Sequence, residues 1–409
     1  MQHIEEIVDI VVIGAGPAGI AAALTASAAG AQTVLLDEAR EAGGHLCWEV
    51  ADFDTLPDMP AKLETSPLAI AAARELDSSD VVYRPNTVVW GIFPGPVVAA
   101  FNTTTDTGMS VRANAVIIAT GTVNRVWPVR GWELPGFSSE RRLLEELHAE
   151  LPPAGRRYGI IGGGTATDQV RAAIALTGGT IVFESVDINH IRVQGNGKVD
   201  LIFDNEEAAN ADVVVQAFGQ RIEPTLAIQA GAACTLHVGE AVPTPYLTTD
   251  GATSLPGIYV AGEAAGVQGP RWSYAHGERV GGAAVRSSPP HPAPEPIVID
   301  PANPRRPFFP PPRDPEIIID HGQGVTLAEI TAAIDSGAND INEIRRQTRA
   351  GMGPSNANEA LPVIATLLLW HDSGITDAQL IARPRPPVRD VPFVTYLPAD
   401  HDVSPGEDR

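Results

Sequence analysis

Gly14-Ala15-Gly16-Pro17-Ala18-Gly19 stands between an apolar run, Ile10 to Ile13, and an alanine-rich stretch that reads as a helix. Gly14 suits a tight turn, Gly16 lets backbone approach a pyrophosphate, and Gly19 lets the helix pack closely on the strand. The helix N-terminus, which holds Pro17 and Ala18, offers unpaired N–H groups to an anion. A second apolar run, Thr33 to Leu36, ends at Asp37 and Glu38, and Asp37 falls where an acid accepts ribose hydroxyls. Strand, glycine turn, helix, strand and acid in this order specify a βαβ unit that holds a dinucleotide.

Three later pieces identify the dinucleotide as FAD. Gly43 and Gly44, followed by His45, suit a glycine pair lying along a flavin's pyrophosphate and ribityl chain. Val116 to Ile118 form an apolar strand that closes on Ala119, Thr120 and Gly121, the turn where two-domain flavoproteins leave the FAD domain. Gly257 to Glu263 form another strand, which delivers Gly262 and Glu263 toward ribityl or phosphate groups, and Val88 is placed with this set.

Residues 158–184 repeat the pattern, with Gly162, Gly163 and Gly164 in the turn and Glu184 ending the next strand. Such a repeat is the usual pyridine-nucleotide half. Two features oppose a working site: Thr167 occupies the third small position, and the segment from Glu184 to the closing strand, Ala211 to Gly219, lacks room for another helix and strand. A hairpin with Gly195-Asn196-Gly197 at its tip fills that segment. Glu184 would repel a 2′-phosphate, which makes NADP the worst-suited ligand.

The chain that must position these turns has 409 residues, 44% of them hydrophobic, enough for several cores. Its formal net charge of −22 repels phosphate backbones and anionic lipid, so nucleic acid is excluded as a partner. Glu5, Glu6 and Asp9 stand where a signal peptide needs basic residues, and no apolar run reaches the about 18 residues of a membrane span. A cytoplasmic protein is expected. Only Cys47 and Cys234 are present, with no CxxC pair. A thiolate at Cys47 near the flavin could react, but a disulfide reductase needs a partner thiol. His45, Trp48, Trp272, Ser273 and Tyr274 are expected to shape the flavin pocket, with Arg271 facing flavin or a partner. No catalytic constellation is found.

After a proline-dense stretch, residues 287–315, a helical unit begins. Thr326 caps a helix from Leu327, Ile341 to Arg349 form a second, and Leu361 to Trp370 a third. Ile330, Ile334, Ile344, Leu361, Ile364 and Leu368 are its expected core.

The order GAGPAG, GG, ATG, GGG and AGE resembles the two-dinucleotide-binding flavoproteins of the thioredoxin and glutathione reductase type, an α/β fold; Glu263 stands where the family usually has Asp. The helical unit resembles the bacterioferritin-associated-ferredoxin module, sharing Gly-Val-Thr (324–326) and Thr-Arg-Ala-Gly-Met-Gly (348–353). Four cysteines hold a 2Fe–2S cluster there; here their places fall at Asp320, Gly322, Ser355 and Ala360, so the resemblance implies no iron–sulfur cluster and no metal. The whole order, with Arg130 to Gly136 and RPRPPVRDVPF at 383–393, resembles the alpha-type subunits of hydrogen cyanide synthase, opine oxidase and dye-linked proline dehydrogenase, and shares its flavin half with sarcosine oxidase alpha. That resemblance implies a D-amino-acid-oxidase-like, FAD-containing beta subunit that oxidises the amine. It also admits an FMN at the subunit interface and a small ferredoxin-like subunit. The expected layout is an FAD-binding domain in two parts (1–125 and 221–286), a shortened NAD(P)-type domain (126–220), a linker (287–315), a degenerate 2Fe–2S-type helical module (316–382) and a tail (383–409).

Overall fold

A computed structural model of the chain describes residues 3–44, 67–148, 155–185, 191–195, 199–203, 208–237, 241–267, 269–287, 310–353, 359–371 and 375–392. His45, Cys47, Trp48 and Ser355 lie outside the described residues, as does most of the proline-dense stretch.

The first layer is a seven-stranded sheet in the order β3-β2-β1-β6-β5-β4, with one further strand on β6. Strand β1 (His3–Ile13) leads through helix α1 (Pro17–Ala28) to β2 (Thr33–Leu36); α2 (Pro67–Asp77) then leads to β3 (Val82–Arg84). These strands run parallel, and so does β6 (Thr107–Ile118) beside β1. Strands β4 (Thr87–Phe93) and β5 (Val97–Asn102) form an antiparallel extension from β6. The ends of the central strands nearest the glycine turn, Ile10–Ile13, Thr33–Leu36 and Ala115–Ile118, are almost wholly apolar because helices cover one face and the extension the other. Val11, Val12, Leu35, Val116 and Ile117 are fully buried.

Two short strands, β7 (Thr122–Asn124) and β15 (Gln220–Ile222), pair antiparallel where the chain leaves for the second fold and returns from it. Between them, β8 (Phe137–Ser139) and α3 (Glu140–His148) precede β9 (Arg157–Gly162), α4 (Thr165–Leu176) and β10 (Thr180–Ser185). A parallel sheet in the order β10-β9-β14-β8 results, with β14 (Val213–Ala217) in its middle. The expected hairpin is observed as β11 (Ile191–Gly195) and β12 (Val199–Phe203), but a third antiparallel strand, β13 (Ala208–Ala211), follows. The run expected to be one closing strand is broken at Asp212, whose carboxylate accepts the Arg157 N–H at 2.8 Å while its own N–H donates to Arg157 O at 2.7 Å. That exchange turns the chain from the meander into the parallel sheet.

The chain returns through α5 (Thr225–Ala230), the hairpin β16 (Cys234–His237) and β17 (Val242–Pro245), and β18 (Ile258–Val260), which joins the first sheet parallel to β6. Helix α6 (Pro270–Val285) follows and lies against α1.

The C-terminal unit has a small ladder, β19 (Ile318–Asp320) and β20 (Val325–Thr326), then α7 (Leu327–Asp335), α8 (Ile341–Thr348), α9 (Ala360–His371) and α10 (Asp377–Leu380). Thr326 caps α7 in a reciprocal capping box with Glu329, and Asp340 caps α8. Ile330, Ile334, Ile344, Ile364 and Leu368 are buried, and Leu361 packs half-buried against them. The unit is not an appendage. Its core is continuous with Trp127, Trp132, Ile161, Val214 and Phe218 of the second fold. The Trp132 indole donates to Ile318 O at 2.7 Å, and Arg130 pairs with Asp314 at 3.1 Å and with Glu316. Among the described residues, no helix is long and apolar enough to cross a membrane.

Candidate functional site

The first glycine turn is built as β1 ends. Gly14 has φ 104°, a left-handed conformation, and a Cβ there would lie 2.4 Å from Ala119 O. A Cβ at Gly19 would lie 1.8 Å from Gly14 O, so only glycine lets α1 sit this close to the turn. Gly16 differs from both. Its backbone is extended (φ −74°, ψ 178°), and its nearest protein contact for a Cβ is Gly44 Cα at 4.0 Å. Among the described residues no protein atom requires glycine at this position. The unfilled space in front of Gly16, beside Gly44 and the open end of α1, fits a pyrophosphate drawn against the backbone. FAD therefore suits the residues present, and Gly14, Gly16, Pro17, Ala18, Gly19 and Gly44 would form its cradle.

Around this cradle the other candidates converge from distant sequence. Gly43 N–H donates to Ala15 O at 2.7 Å, which brings the glycine pair onto the first turn. Ala119 N–H donates to Ile13 O at 2.8 Å, and Gly121 (φ 68°) starts the crossing strand β7. A Cβ at Gly262 would meet Ala18 Cβ at 2.4 Å. Glu263 accepts from Thr122 Oγ1 at 3.1 Å, so the acid after β18 is tied to the strand that leaves the first fold. Thr120 Oγ1 donates to Glu223 O at 3.4 Å on the returning segment. Val88 lies half-buried in β4, one residue beyond Thr87, whose N–H donates to Asp37 O at 2.7 Å.

Asp37 has a second task beyond the expected one. Its carboxylate accepts the Ala15 N–H and, at 2.6 Å, the Ala39 N–H, so it fixes the glycine turn from behind. Burial pushes its pKa up, while these two N–H bonds pull it down. Each oxygen thus accepts one protein donor and keeps a second lone pair for a ribose hydroxyl. Glu38 is the more exposed acid at this edge, and it pairs with Arg389 of the tail. The tail reaches it because Val388 is buried against the first fold and donates its N–H to Trp90 O at 2.9 Å.

Sequence reasoning missed His276. Its Nδ1 accepts the Gly262 N–H at 3.0 Å, with its pKa lowered first by burial and then by Arg279. A neutral imidazole accepts that bond, and an imidazolium would not. The signal was present as a histidine one helix turn beyond Trp272, but the loop it meets lies outside its own helix. Of the pocket residues expected after Glu263, Ser273 is buried and donates to Val267 O at 3.2 Å, Tyr274 packs against the first core, and Trp272 is 71% exposed. Arg271 is exposed. Burial pushes the Cys234 thiol up to about 12, so it stays protonated and unreactive near neutrality.

The second turn is constructed alike but less tightly. A Cβ at Gly162 would lie 2.0 Å from Ala217 O, and Gly164 faces open space. Thr167, in the place of Gly19, is buried, and its hydroxyl has no hydrogen-bond partner among the described residues. Glu184 accepts from Arg171 at 2.9 Å and 2.6 Å, and Arg171 also pairs with Asp168. That bonding holds the Glu184 carboxyl below its usual range.

At the base of this fold Glu140 is only 4% exposed, one of its oxygens has no partner among the described residues, and burial pushes its pKa up to about 7. A raised folded pKa means the fold prefers the protonated form. The associated stability is complete below about pH 4.5 and is lost as pH rises toward about 7. Glu140→Gln is expected to raise stability at pH 8 by on the order of 2 kcal/mol and to change little at pH 4, measured by urea unfolding at both pH values.

In the C-terminal unit, the described positions set against cluster ligands by the resemblance, Asp320, Gly322 and Ala360, show a different chemistry from thiolate ligation. Asp320 is 1% exposed, and its carboxylate accepts N–H groups from Gly322 at 2.8 Å, Gln323 at 3.3 Å and Gly351. Gly322 has no ligating side chain, and Ala360 is a buried methyl at the start of α9. His321 packs on Trp132 with ring centroids 4.0 Å apart and the rings tilted by 39°, and its Nδ1 lies 3.8 Å from a Glu359 carboxylate oxygen. Among the described residues no group of three or more His, Cys, Asp or Glu could hold a metal ion. These residues do not fit an iron–sulfur cluster.

Comparison with known proteins agrees with the architecture. Residues 8–175 match the pyridine nucleotide-disulphide oxidoreductase family. The A subunit of opine oxidase from Agrobacterium tumefaciens (strain Ach5) is 26% identical over 94% of this chain and 90% of its own length. The alpha subunit of sarcosine oxidase from Corynebacterium sp. (strain P-1) is 29% identical over 44% of this chain and 19% of its own. Among solved structures, L-proline dehydrogenase from P. horikoshii superposes with a TM-score of 0.76 at 21% identity, covering 97% of this chain and 81% of that one. Thioredoxin reductase from T. acidophilum has a TM-score of 0.51 at 20% identity, covering 69% of this chain and 99% of its own. The chain is a two-dinucleotide-binding-domain flavoprotein, a flavin-dependent oxidoreductase homologous to the opine oxidase A and sarcosine oxidase alpha polypeptides.

Proposed function

We propose that this chain is the FAD-binding alpha-type subunit of a cytoplasmic, heteromeric amine or amino-acid dehydrogenase or oxidase, and that it supports electron transfer from a catalytic beta subunit without an iron–sulfur cluster. The observation that carries the proposal is the pairing of an open dinucleotide cradle at Gly16 with a cluster-type loop closed by the Asp320 carboxylate. When bound, FAD supplies electron acceptance and release. The residues of this chain do the rest: Gly14, Gly16, Gly19 and Gly44 admit the pyrophosphate, Asp37 fixes the turn, and Thr122 with His276 orients Glu263 and Gly262. The D-amino-acid-oxidase-like partner, an FMN at the interface and a small ferredoxin-like subunit belong to the proposal through the homology to subunits of multi-subunit oxidases.

Co-expression with a D-amino-acid-oxidase-like flavoprotein tests this reading. A stable complex that reduces an artificial dye with an amine or amino acid is expected; two proteins that never co-purify would defeat it. NADPH is expected to leave the flavin absorbance unchanged, because Glu184 repels a 2′-phosphate and Arg171 is already engaged by two carboxylates. Rapid bleaching of that absorbance on adding NADPH would count against the assignment.

A further inference from the structure

A cleft lies between the returning part of the first fold and the C-terminal unit, with about 680 Å³ of space that is partly open to solvent. Three arginines from three separate segments converge on it: Arg221 from β15, Arg345 from α8 and Arg385 from the tail. Its remaining walls are apolar or small, including Ile228, Leu361 and Leu380, and no described lining residue is Asp or Glu. Glu359 acts on Arg221 and Asp320 on Arg345 from outside the lining, while Arg385 is exposed, so in a chain of net charge −22 the described lining itself carries three arginines and no acid.

We propose that this cleft binds a small organic anion, its carboxylate or phosphate oxygens held by the arginines and its apolar body lying against Ile228, Leu361 and Leu380. Guanidinium groups recognise either oxyanion by paired N–H donors. Arg345 is half-buried and gives its Nε–H to Ala350 O at 3.3 Å and an Nη2–H to Gly351 O at 3.1 Å. Those bonds use part of its five-donor fork and hold the rest in place. Burial and then the neighbouring Arg385 charge lower its pKa, and Asp320 offsets part of this; an anion between the two guanidinium groups would relieve the remaining repulsion. Arg221 is 8% exposed and gives an Nη1–H to Ile222 O at 3.4 Å, so it too is fixed before a ligand arrives. Four prolines in the lining, Pro224, Pro243, Pro362 and Pro384, restrict the backbone around the cleft.

Calorimetric titration of the purified flavin-loaded chain with phenyl phosphate, benzoate and neutral benzamide tests the site. Saturable binding of at least one anion and none of benzamide is expected. Tighter phenyl phosphate assigns a phosphate ligand, and tighter benzoate a carboxylate. Arg385 is exposed, so Arg385→Gln leaves the fold intact and is expected to weaken the anion about tenfold or more. Binding should persist in Gly16→Val, which separates this cleft from the dinucleotide cradle. Failure of both anions to bind, equal binding of benzamide, unchanged affinity in Arg385→Gln, or loss of binding in Gly16→Val would each overturn the proposal.

Discussion

Gly16→Val is expected to yield a folded protein without flavin. The backbone at Gly16 is extended, which valine adopts readily, and among the described residues the nearest protein atom to a new Cβ is 4.0 Å away. The fold therefore tolerates the side chain. Its methyl groups would occupy the space the pyrophosphate needs, with an expected loss of affinity of a hundredfold or more, about 3 kcal/mol. Gly19→Val provides the contrast: its Cβ would strike Gly14 O at 1.8 Å, so this variant is expected to lose the fold itself. Flavin content and circular dichroism of the two variants, measured together, separate ligand clash from misfolding. A Gly16→Val protein that keeps its full flavin complement would place the dinucleotide elsewhere.

The second large effect is expected at Asp320. Asp320→Ala would leave the N–H groups of Gly322, Gln323 and Gly351 without their acceptor at a site that is 1% exposed. Each stranded donor costs about 1 to 3 kcal/mol, so a total loss of roughly 3 kcal/mol or more is expected, even with water entering part of the space. Because this unit shares its core with the second fold, the loss should appear in the main thermal transition rather than as a separate melting event. Asp320→Asn keeps one acceptor oxygen and is expected to fall between. An Asp320→Ala protein that melts with the wild type would show that the carboxylate does not hold the loop.

This buried carboxylate explains how the unit persists without thiolates. In a cluster-bearing module the metal gathers the loops. Here one anionic side chain collects the same kind of backbone donors, and the helices supply a packed core. The resemblance read from the sequence set Asp320, Gly322, Ser355 and Ala360 against the thiol positions of such a module. It did not show that Asp320 holds the loop, since its partner Gly351 is 31 residues away.

The same division runs through the flavin site. The glycine turns were legible because their requirements are local, and a strand, a turn and a helix at fixed spacing carry them. The capped start of α7 was legible for the same reason. Contacts that cross the fold were not. Asp37 could be read as an acid at the end of a strand, but its bond to Ala15 depends on how that strand lies beside β1. His276 gave no sign of its bond to Gly262, and Arg389 gave none of its pairing with Glu38 across 351 residues of chain. The third strand of the meander was missed because Ala208, Ala209, Asn210 and Ala211 are poor strand formers, and Asp212 joins them without an evident break to the valine run that follows.

Cofactor stoichiometry of the purified chain tests the central claim most directly. Released flavin is identified by chromatography and iron by elemental analysis on the same sample. One FAD per chain with no stoichiometric iron is the expected result; absence of FAD, or about two irons per chain with acid-labile sulfide, would contradict the account.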